Sequence, residues 1–380
     1  MPVAESRSAT SSLDRPTCLV FRDKLLLPSE GFIPTHYVGF EQIQPVYVAN
    51  QLGWRAAEIM APQIATGAGM VTRNLFKQFG VTSQAAAMAA HKPVAIHAHF
   101  GRGGALALPL ARQLGLPLYV TFHGGDATKR THQRRRLIPS IYQRRLLALQ
   151  DYASGFLCVS DFVAGRLRDQ GFPADKLHTH YIGLDLSTLQ EATMRDVNAP
   201  YLMVGRLVAK KGFDLVIHAL RQLAADGIAP QVEIAGTGPD EAALRAEAAG
   251  LDNVQFLGWQ TPDQLAAKMA QCQAVIVPSR EAPNGDCEGL PTVVLEAIRA
   301  GAPVVASAHA GIPEIIADGK TGILVPENDV PSLVTALRRC AAMSADAMGG
   351  LVTAAQGELR ARFDGRAQSA QLEQILLNGV

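Results

Sequence analysis

The stretch Ala274–Ala306, AVIVPSREAPNGDCEGLPTVVLEAIRAGAPVVA, decides the fold. Ala274 to Val277 is a short apolar run that closes on Pro278, and a loop rich in Pro, Gly, Asn and Asp then runs to Pro291. Pro291 suits a first helical turn, where a missing N–H is no loss, and Gly301 suits the helix end. A second apolar run, Pro303 to Ala306, follows at once. Strand, loop, helix and strand in that order form the repeating unit of a parallel sheet, because parallel neighbours need a crossover between them.

The same alternation extends outward in both directions. Toward the C-terminus another strand is expected at Gly322 to Val325, and beyond Val330 the chain reads as wholly helical, with Leu333, Leu337, Leu372, Ile375 and Leu376 at helix-like spacings. Backward, strands are expected at Val254 to Leu257, Gln231 to Ala235 and Tyr201 to Val204. The polar segment Leu184 to Pro200 has few apolar anchors and marks a domain boundary. Before it, strands are expected at Thr17 to Arg22, Pro45 to Ala49, Val94 to Phe100, Leu118 to Phe122, Gly155 to Ser160 and His178 to Ile182. The fold class is α/β, with two doubly wound parallel-sheet units. The expected division is a tail over 1–16, a first unit over 17–190, a second over 198–360 and a last helix over 361–380 that packs back on the first unit. Two such sheets facing each other leave a cleft at the carboxyl ends of their strands.

Bulk composition narrows the function classes. The 380 residues suffice for two cores, and 35 Lys and Arg against 34 Asp and Glu leave no global field for nucleic acid or an acidic polymer. The five cysteines are scattered without zinc-knuckle or redox-pair spacing, which fits a reducing cytoplasm. Met1 to Thr17 has no apolar stretch of signal-peptide length, and no later segment reads as a membrane span. A cytoplasmic protein is expected.

Four motifs fall at strand ends. In the opening stretch, Glu288 and Glu296 have seven residues between them. Free amides at Gly289, Leu290, Thr292 and Val293 would seat a diphosphate, and the two carboxylates would accept O–H bonds from a sugar and a ribose. Directly after Tyr201–Val204, Arg206 and Lys211 are placed to neutralise a diphosphate and the charge that grows on it as a glycosidic bond breaks. Gly236 and Gly238, in Ala235-Gly-Thr-Gly-Pro239, permit close backbone approach, but the third glycine and distal acid of a dinucleotide fingerprint are missing. In the first unit, Thr121-Phe-His-Gly-Gly-Asp126 sets His123 at the cleft rim beside Gly124 and Asp126. His97 and His99 share a strand face without a third ligand, so no metal site is expected.

Together, Gly205-Arg-Leu-x3-Lys-Gly212, Gly236-Thr-Gly-Pro239, Phe256-Leu-Gly-Trp259 and Glu288-Gly-Leu-Pro291 with Glu296-Ala297 resemble family 4 of the retaining glycosyltransferases, which have the GT-B fold. His97-Ala-His-Phe-Gly101 and His123-Gly-Gly-Asp126 are similar to the members that build bacterial exopolysaccharides and lipopolysaccharides. The resemblance implies that Arg206 and Lys211 grip the donor diphosphate and that Glu288 meets the transferred sugar near its 3-hydroxyl. It implies further that Glu296 holds the ribose, that the main chain at Trp259 and Gln260 holds the base, and that His123 touches the donor sugar or its leaving group. No metal or other cofactor is implied, and a nucleotide diphosphate sugar is the co-substrate. The family's Gly-Gly turn after the first strand is replaced here by Leu27-Pro-Ser-Glu-Gly-Phe32, making Ser29, Glu30 and Gly31 the candidate substitutes.

No first-unit carboxylate stands out as a nucleophile, so a front-face transfer with retention is expected over a two-step displacement. The basic, partly apolar stretch Lys129 to Arg145 suits either a solvated helix or an anionic membrane surface, the latter pairing with a polyprenyl-diphosphate-linked saccharide acceptor. Two alternatives stand: a soluble transferase acting on a small metabolite or storage glucan, and a nucleotide-sugar-binding protein without turnover. The donor is expected to carry UDP, GDP or ADP.

Overall fold

The computed structural model describes residues 15–25, 31–53, 62–129, 139–190, 196 and 198–379. Ser29, Glu30, most of the expected tail and 130–138 of the basic stretch lie outside the described residues. Two parallel sheets carry the chain. The first has seven strands: β1 (Thr17–Leu25), β2 (Gln44–Leu52), β3 (Gln63–Ala65), β4 (Pro93–His99), β5 (Leu118–Phe122), β6 (Gly155–Cys158) and β7 (Leu177–Thr179), in the order β3-β2-β1-β4-β5-β6-β7. The second has six: β8 (Tyr201–Val204), β9 (Val232–Ala235), β10 (Val254–Gly258), β11 (Val275–Val277), β12 (Val304–Ser307) and β13 (Ile323–Val325), in the order β10-β9-β8-β11-β12-β13.

Each sheet is covered on both faces, which is why its strands read as continuous apolar runs. In β1, Leu19 and Phe21 enter one core while Cys18 and Val20 enter another on the opposite face. In β8, Tyr201 and Met203 are likewise separated from Leu202. Strand order reverses between β1 and β4 and again between β8 and β11, and at such switch points the loops leave in opposite directions and open a crevice. The segments after β4 and β5 face those after β8 and β11.

The lobes meet along one side of this crevice. Cys287 N–H donates to Thr128 Oγ1 at 3.0 Å, and Ser160 Oγ donates to the Gly289 carbonyl at 3.2 Å. The Glu314 carboxylate accepts from the amides of Asp161 and Phe162 at 3.0 and 3.1 Å, and from Tyr181 Oη at 3.0 Å. A second connection is covalent. Helix Ala345–Arg362 lies on the second lobe, where Ala355 and Leu359 join its core, and helix Gly365–Asn378 then buries Leu372 and Leu376 in the first. Buried Glu373 fixes that crossing: its Oε1 accepts from the amides of Glu41, Gln42 and Ile43 at 2.9, 2.7 and 2.9 Å.

Candidate active site

The crevice contains a cavity of about 770 Å³ lined from both lobes. From the second lobe come Arg206, Lys210, Lys211, Asp286, Glu288, Leu290, Thr292 and Glu296; from the first, Arg22, Phe32, Phe100, His123, Asp126 and Lys129. Lys211 ends a short 3-10 turn, Ala209–Lys211, after β8, and Gly212 closes the turn with φ +66. A Cβ on Gly212 would lie 2.0 Å from the Pro278 carbonyl oxygen, so only glycine lets this turn pack against the end of β11.

Two lysines of this turn converge on Glu288. Lys211 Nζ stands 3.1 Å from its Oε1 and Lys210 Nζ 3.5 Å from the same oxygen. Lys210 also reaches Asp286 at 3.3 Å, and Asp286 meets Lys129 of the other lobe at 3.1 Å. Burial pushes the Glu288 carboxyl up, but Lys211 and Lys210 together outweigh it and hold the group below the usual glutamate range. Glu296 goes the other way: burial dominates Arg299, Lys211 and its bond to Thr292, and its pKa rises. The lining sets six cations, Arg22, Arg102, Lys129, Arg206, Lys210 and Lys211, against four carboxylates, Asp126, Asp286, Glu288 and Glu296, a surplus of two positive charges at one cavity. Arg206 is exposed and has no ion pair among the described residues.

The helix after this loop is Thr292–Arg299, with Pro291 at its N-cap and not, as expected, in its first turn. Thr292 and Val293 line or border the cavity at the start of that helix, where amides lack intrahelical acceptors. Gly289 departs from the expected seat. A Cβ there would lie 2.5 Å from the His123 carbonyl oxygen, and one on Gly124, whose φ is +123, would lie 2.3 Å from Gly289 N. These two glycines are one of the points where the lobes touch, and neither lines the cavity.

His123 projects into the cavity from the loop after β5. Its ring packs on Phe100 at 4.5 Å and Phe32 at 4.9 Å between centroids. Desolvation, followed by His36, Arg22 and His97, drives its pKa well below the imidazole range, so it is neutral near pH 7. Asp126 does not reach the cavity as a free base: Oδ1 accepts from His123 N and Oδ2 from Gly101 N, each at 2.9 Å.

Several expected residues are not brought to the cavity. Gly236 and Gly238 pack under the Arg206 turn, where Cβ atoms would lie 1.9 Å from Gly205 O and 2.2 Å from Leu207 O; they shape the loop and do not line the site. Trp259 is 69% exposed, and Gln260 Nε2 donates to the carbonyls of Leu257 and Trp259. Gly31 is exposed and stands before helix Phe32–Thr35, with Phe32 reaching the cavity in its place. In the basic stretch, Ile141 and Tyr142 turn into the first core, while Arg144 and Arg145 bond Gln78.

Sequence reasoning missed Lys210, Phe100 and His309. Lys210 was signalled by its pairing with Lys211 in sequence. Phe100 takes φ +67, costly for a non-glycine residue, and sits between two residues already noted, His99 and Gly101. His309 had no local signal: it accepts from Glu288 N at 3.4 Å and its Nδ1 lies 2.8 Å from Glu327, steadying the Glu288 loop from beneath. Among the described residues, no cluster of His, Cys, Asp and Glu is arranged to hold a metal ion, and no helix is long and apolar enough to cross a membrane.

Residues 66–188 match the family model described as Glycosyltransferase Family 4, and residues 193–348 match the one described as Glycosyl transferases group 1. The chain is 34% identical over 290 residues to a putative colanic acid biosynthesis glycosyltransferase, WcaL, of Salmonella typhimurium, covering 73% of this chain and 69% of that one. It is 30% identical over 288 residues to the amylovoran biosynthesis glycosyltransferase AmsK of Erwinia amylovora, covering 73% and 68%. Among solved structures, Anabaena HepE in complex with UDP superposes with a TM-score of 0.74 at 19% identity, covering 95% of this chain and 99% of that one.

Proposed function

Because the chain belongs to glycosyltransferase family 4, we propose that it moves a hexose from a nucleotide diphosphate sugar, with retention and without a metal, to a saccharide acceptor in bacterial surface polysaccharide synthesis. One observation carries this reading: Arg206, Lys210, Lys211 and Glu288 stand together at the start of helix Thr292–Arg299, opposite a neutral His123. The surplus of two positive charges complements a diphosphate, and a helix start adds amides for its oxygens. These groups take over the charge neutralisation that a divalent ion performs elsewhere. HepE in complex with UDP-glucose supports a nucleotide-sugar donor in this fold, and the names of WcaL and AmsK support an exopolysaccharide product.

Retention is carried over from the family resemblance, and the lining of the first lobe bears only on which retaining route is used. Among the described residues, its one lining carboxylate is Asp126, whose oxygens are occupied by two backbone amides. A double displacement finds no other candidate nucleophile there among the described residues. In the front-face alternative the departing phosphate oxygen takes the acceptor's proton on the side it leaves from, and Lys211, Arg206 and Lys210 stabilise the charge growing on it. Glu288 orients the sugar through its hydroxyls, and Glu296 the ribose.

A lipid-linked acceptor draws support from the surface of the first lobe. Helix Met70–Phe79 exposes Met70 at 77%, Val71 at 72% and Phe79 at 67%, interleaved with Arg73 and Lys77, and Leu147 is exposed at 80% beside Arg144. Flotation with anionic vesicles is the check: retention supports a membrane-bound acceptor, and failure to float favours a soluble one. The donor is tested by thermal shift with UDP, GDP and ADP sugars, where ligand at about 100 times its Kd adds about 2.7 kcal/mol. Release of the nucleoside diphosphate with acceptor present separates a transferase from a binding protein. A donor that binds without ever being consumed, whatever saccharide is supplied, defeats the reading.

A further inference from the structure

Behind His123 lies an unbroken chain of buried side chains. Thr121 Oγ1 is 2.6 Å from His97 Nε2, and His97 Nδ1 is 2.7 Å from Tyr37 Oη. Tyr37 Oη is 2.7 Å from His99 Nε2, and His99 Nδ1 is 3.0 Å from His123 Nε2. The next atom, His123 Nδ1, is buried and has no partner. Thr121, His97 and His99 are 0% exposed and Tyr37 4%.

Counting protons gives this chain a direction. A neutral imidazole carries one N–H, and each hydroxyl one O–H, so every link constrains the next. If Thr121 donates to His97 Nε2, then His97 Nδ1–H donates to Tyr37, Tyr37 O–H to His99 Nε2, and His99 Nδ1–H to His123 Nε2. One group is then left over, His123 Nδ1–H. In the reverse direction two are left over: the Thr121 hydroxyl proton, deep in β5, and a bare His123 Nδ1. Orphaned buried polar groups are costly, and the forward arrangement has one fewer. Burial also depresses protonation of all three imidazoles and keeps Tyr37 protonated, which holds each link to a single proton.

We propose that Tyr37, His97, His99 and Thr121 are positioning residues that lock His123 as its Nδ1–H tautomer, so that this N–H is a fixed donor to an oxygen of the transferred sugar or its leaving phosphate. The ligand half of this statement rests on the transferase reading; the tautomer half does not. The forward direction puts His97, His99 and His123 all in the Nδ1–H form, which is the minority form of free neutral histidine. A donor that cannot turn into an acceptor selects an oxygen lone pair and rejects a hydroxyl proton, which fixes how the sugar is presented.

The test is two-bond ¹H–¹⁵N correlation on ¹⁵N-histidine-labelled full-length protein without ligand, assigned with His97→Gln, His99→Gln and His123→Gln. Protonated Nδ1 and bare Nε2 in all three rings is the expected result, and Nε2–H at His99 or His123 overturns the direction. Tyr37→Phe breaks the chain in the middle: His123 should relax to a mixture of tautomers, with kcat down about tenfold and donor KM nearly unchanged. Thr121→Val should reproduce this and Thr121→Ser should restore it, whereas equal loss in both Thr121 variants reduces the chain to packing and overturns the proposal. Should wild-type protein show the three Nδ1–H rings yet transfer no sugar, the locked chain stands and the transferase reading is what fails.

Discussion

Around one cavity, the second lobe holds Lys210 and Lys211 at 3.5 and 3.1 Å from Glu288, whereas the first holds His123 neutral against Phe32 and Phe100, backed by His36, His97, His99 and His180. One wall keeps its charges by pairing them. The other keeps its imidazoles uncharged by burying them together. A charged wall binds a diphosphate and answers developing charge, while a neutral, desolvated wall holds a sugar in a defined pose without competing for the phosphates. Under the proposed function the ionic wall serves the leaving group and the imidazole wall the sugar end of the donor, and the contrast can be tried by treatments that strike one wall and spare the other.

Mild acid has the largest expected effect, and it strikes the neutral wall. The folded pKa values of His36, His97, His99, His123 and His180 all lie below the ordinary value, His36 at about 3. The unfolded chain therefore binds more protons below about pH 6.5, and stability falls as pH drops, by about 1.4 kcal/mol per pH unit for each imidazole that stays neutral. Glu288 acts in the same direction but in a lower window: its folded pKa is lowered, so its contribution is present above the unfolded glutamate value near 4.3 and is lost only as pH falls through the folded one. Urea melts between about pH 7 and pH 5 thus report the buried imidazoles, opposed only by Glu296, whose raised pKa acts in the other sense. Flat stability across that interval would break the comparison.

Lys211→Ala strikes the ionic wall. Turnover should fall by about 10² to 10³, the cost of removing one preorganised charge from a developing anion, with the thermal midpoint nearly kept because Lys210 remains beside Glu288. Near-normal turnover would move the leaving-group site elsewhere. Gly124→Ala attacks the junction of the walls: with φ +123 and a Cβ only 2.3 Å from Gly289 N, it should cost about 2–3 kcal/mol and separate the lobes, read as lower stability together with a raised donor KM. Trp259→Ala is the small effect. Its side chain is 69% exposed outside the cavity, so stability should change by less than about 0.5 kcal/mol, and a large loss would show that the cavity extends further than its present lining.

Much of the site was legible because strand–loop–helix order puts each motif at the carboxyl end of a strand. Arg206, Lys211, Glu288 and His123 line the cavity from such loops, and Glu296 lines it from the helix that follows one of them. The glycine motifs were less transparent, since a glycine that admits a ligand and one that admits another loop look alike in one dimension. Gly236, Gly238 and Gly289 proved to admit backbone. Strand boundaries shifted by a few residues, and β3, the edge strand Gln63–Ala65, went unpredicted because three residues carry too little pattern.

Taken alone, the order of residues determined the α/β class, the parallel sheets and the types of side chain offered at each strand end, because apolar period and turn chemistry act over a few residues. Which of those side chains meet was a matter for tertiary structure. The Lys210–Lys211–Glu288 cluster needs loops from β8 and β11 to pack through Gly212, and the chain from Thr121 to His123 needs Tyr37 to enter from a segment 60 residues away from His97. Burial does the rest: the same histidines are ordinary bases in an unfolded chain and a fixed line of donors and acceptors once the sheet and its last helix have excluded water around them.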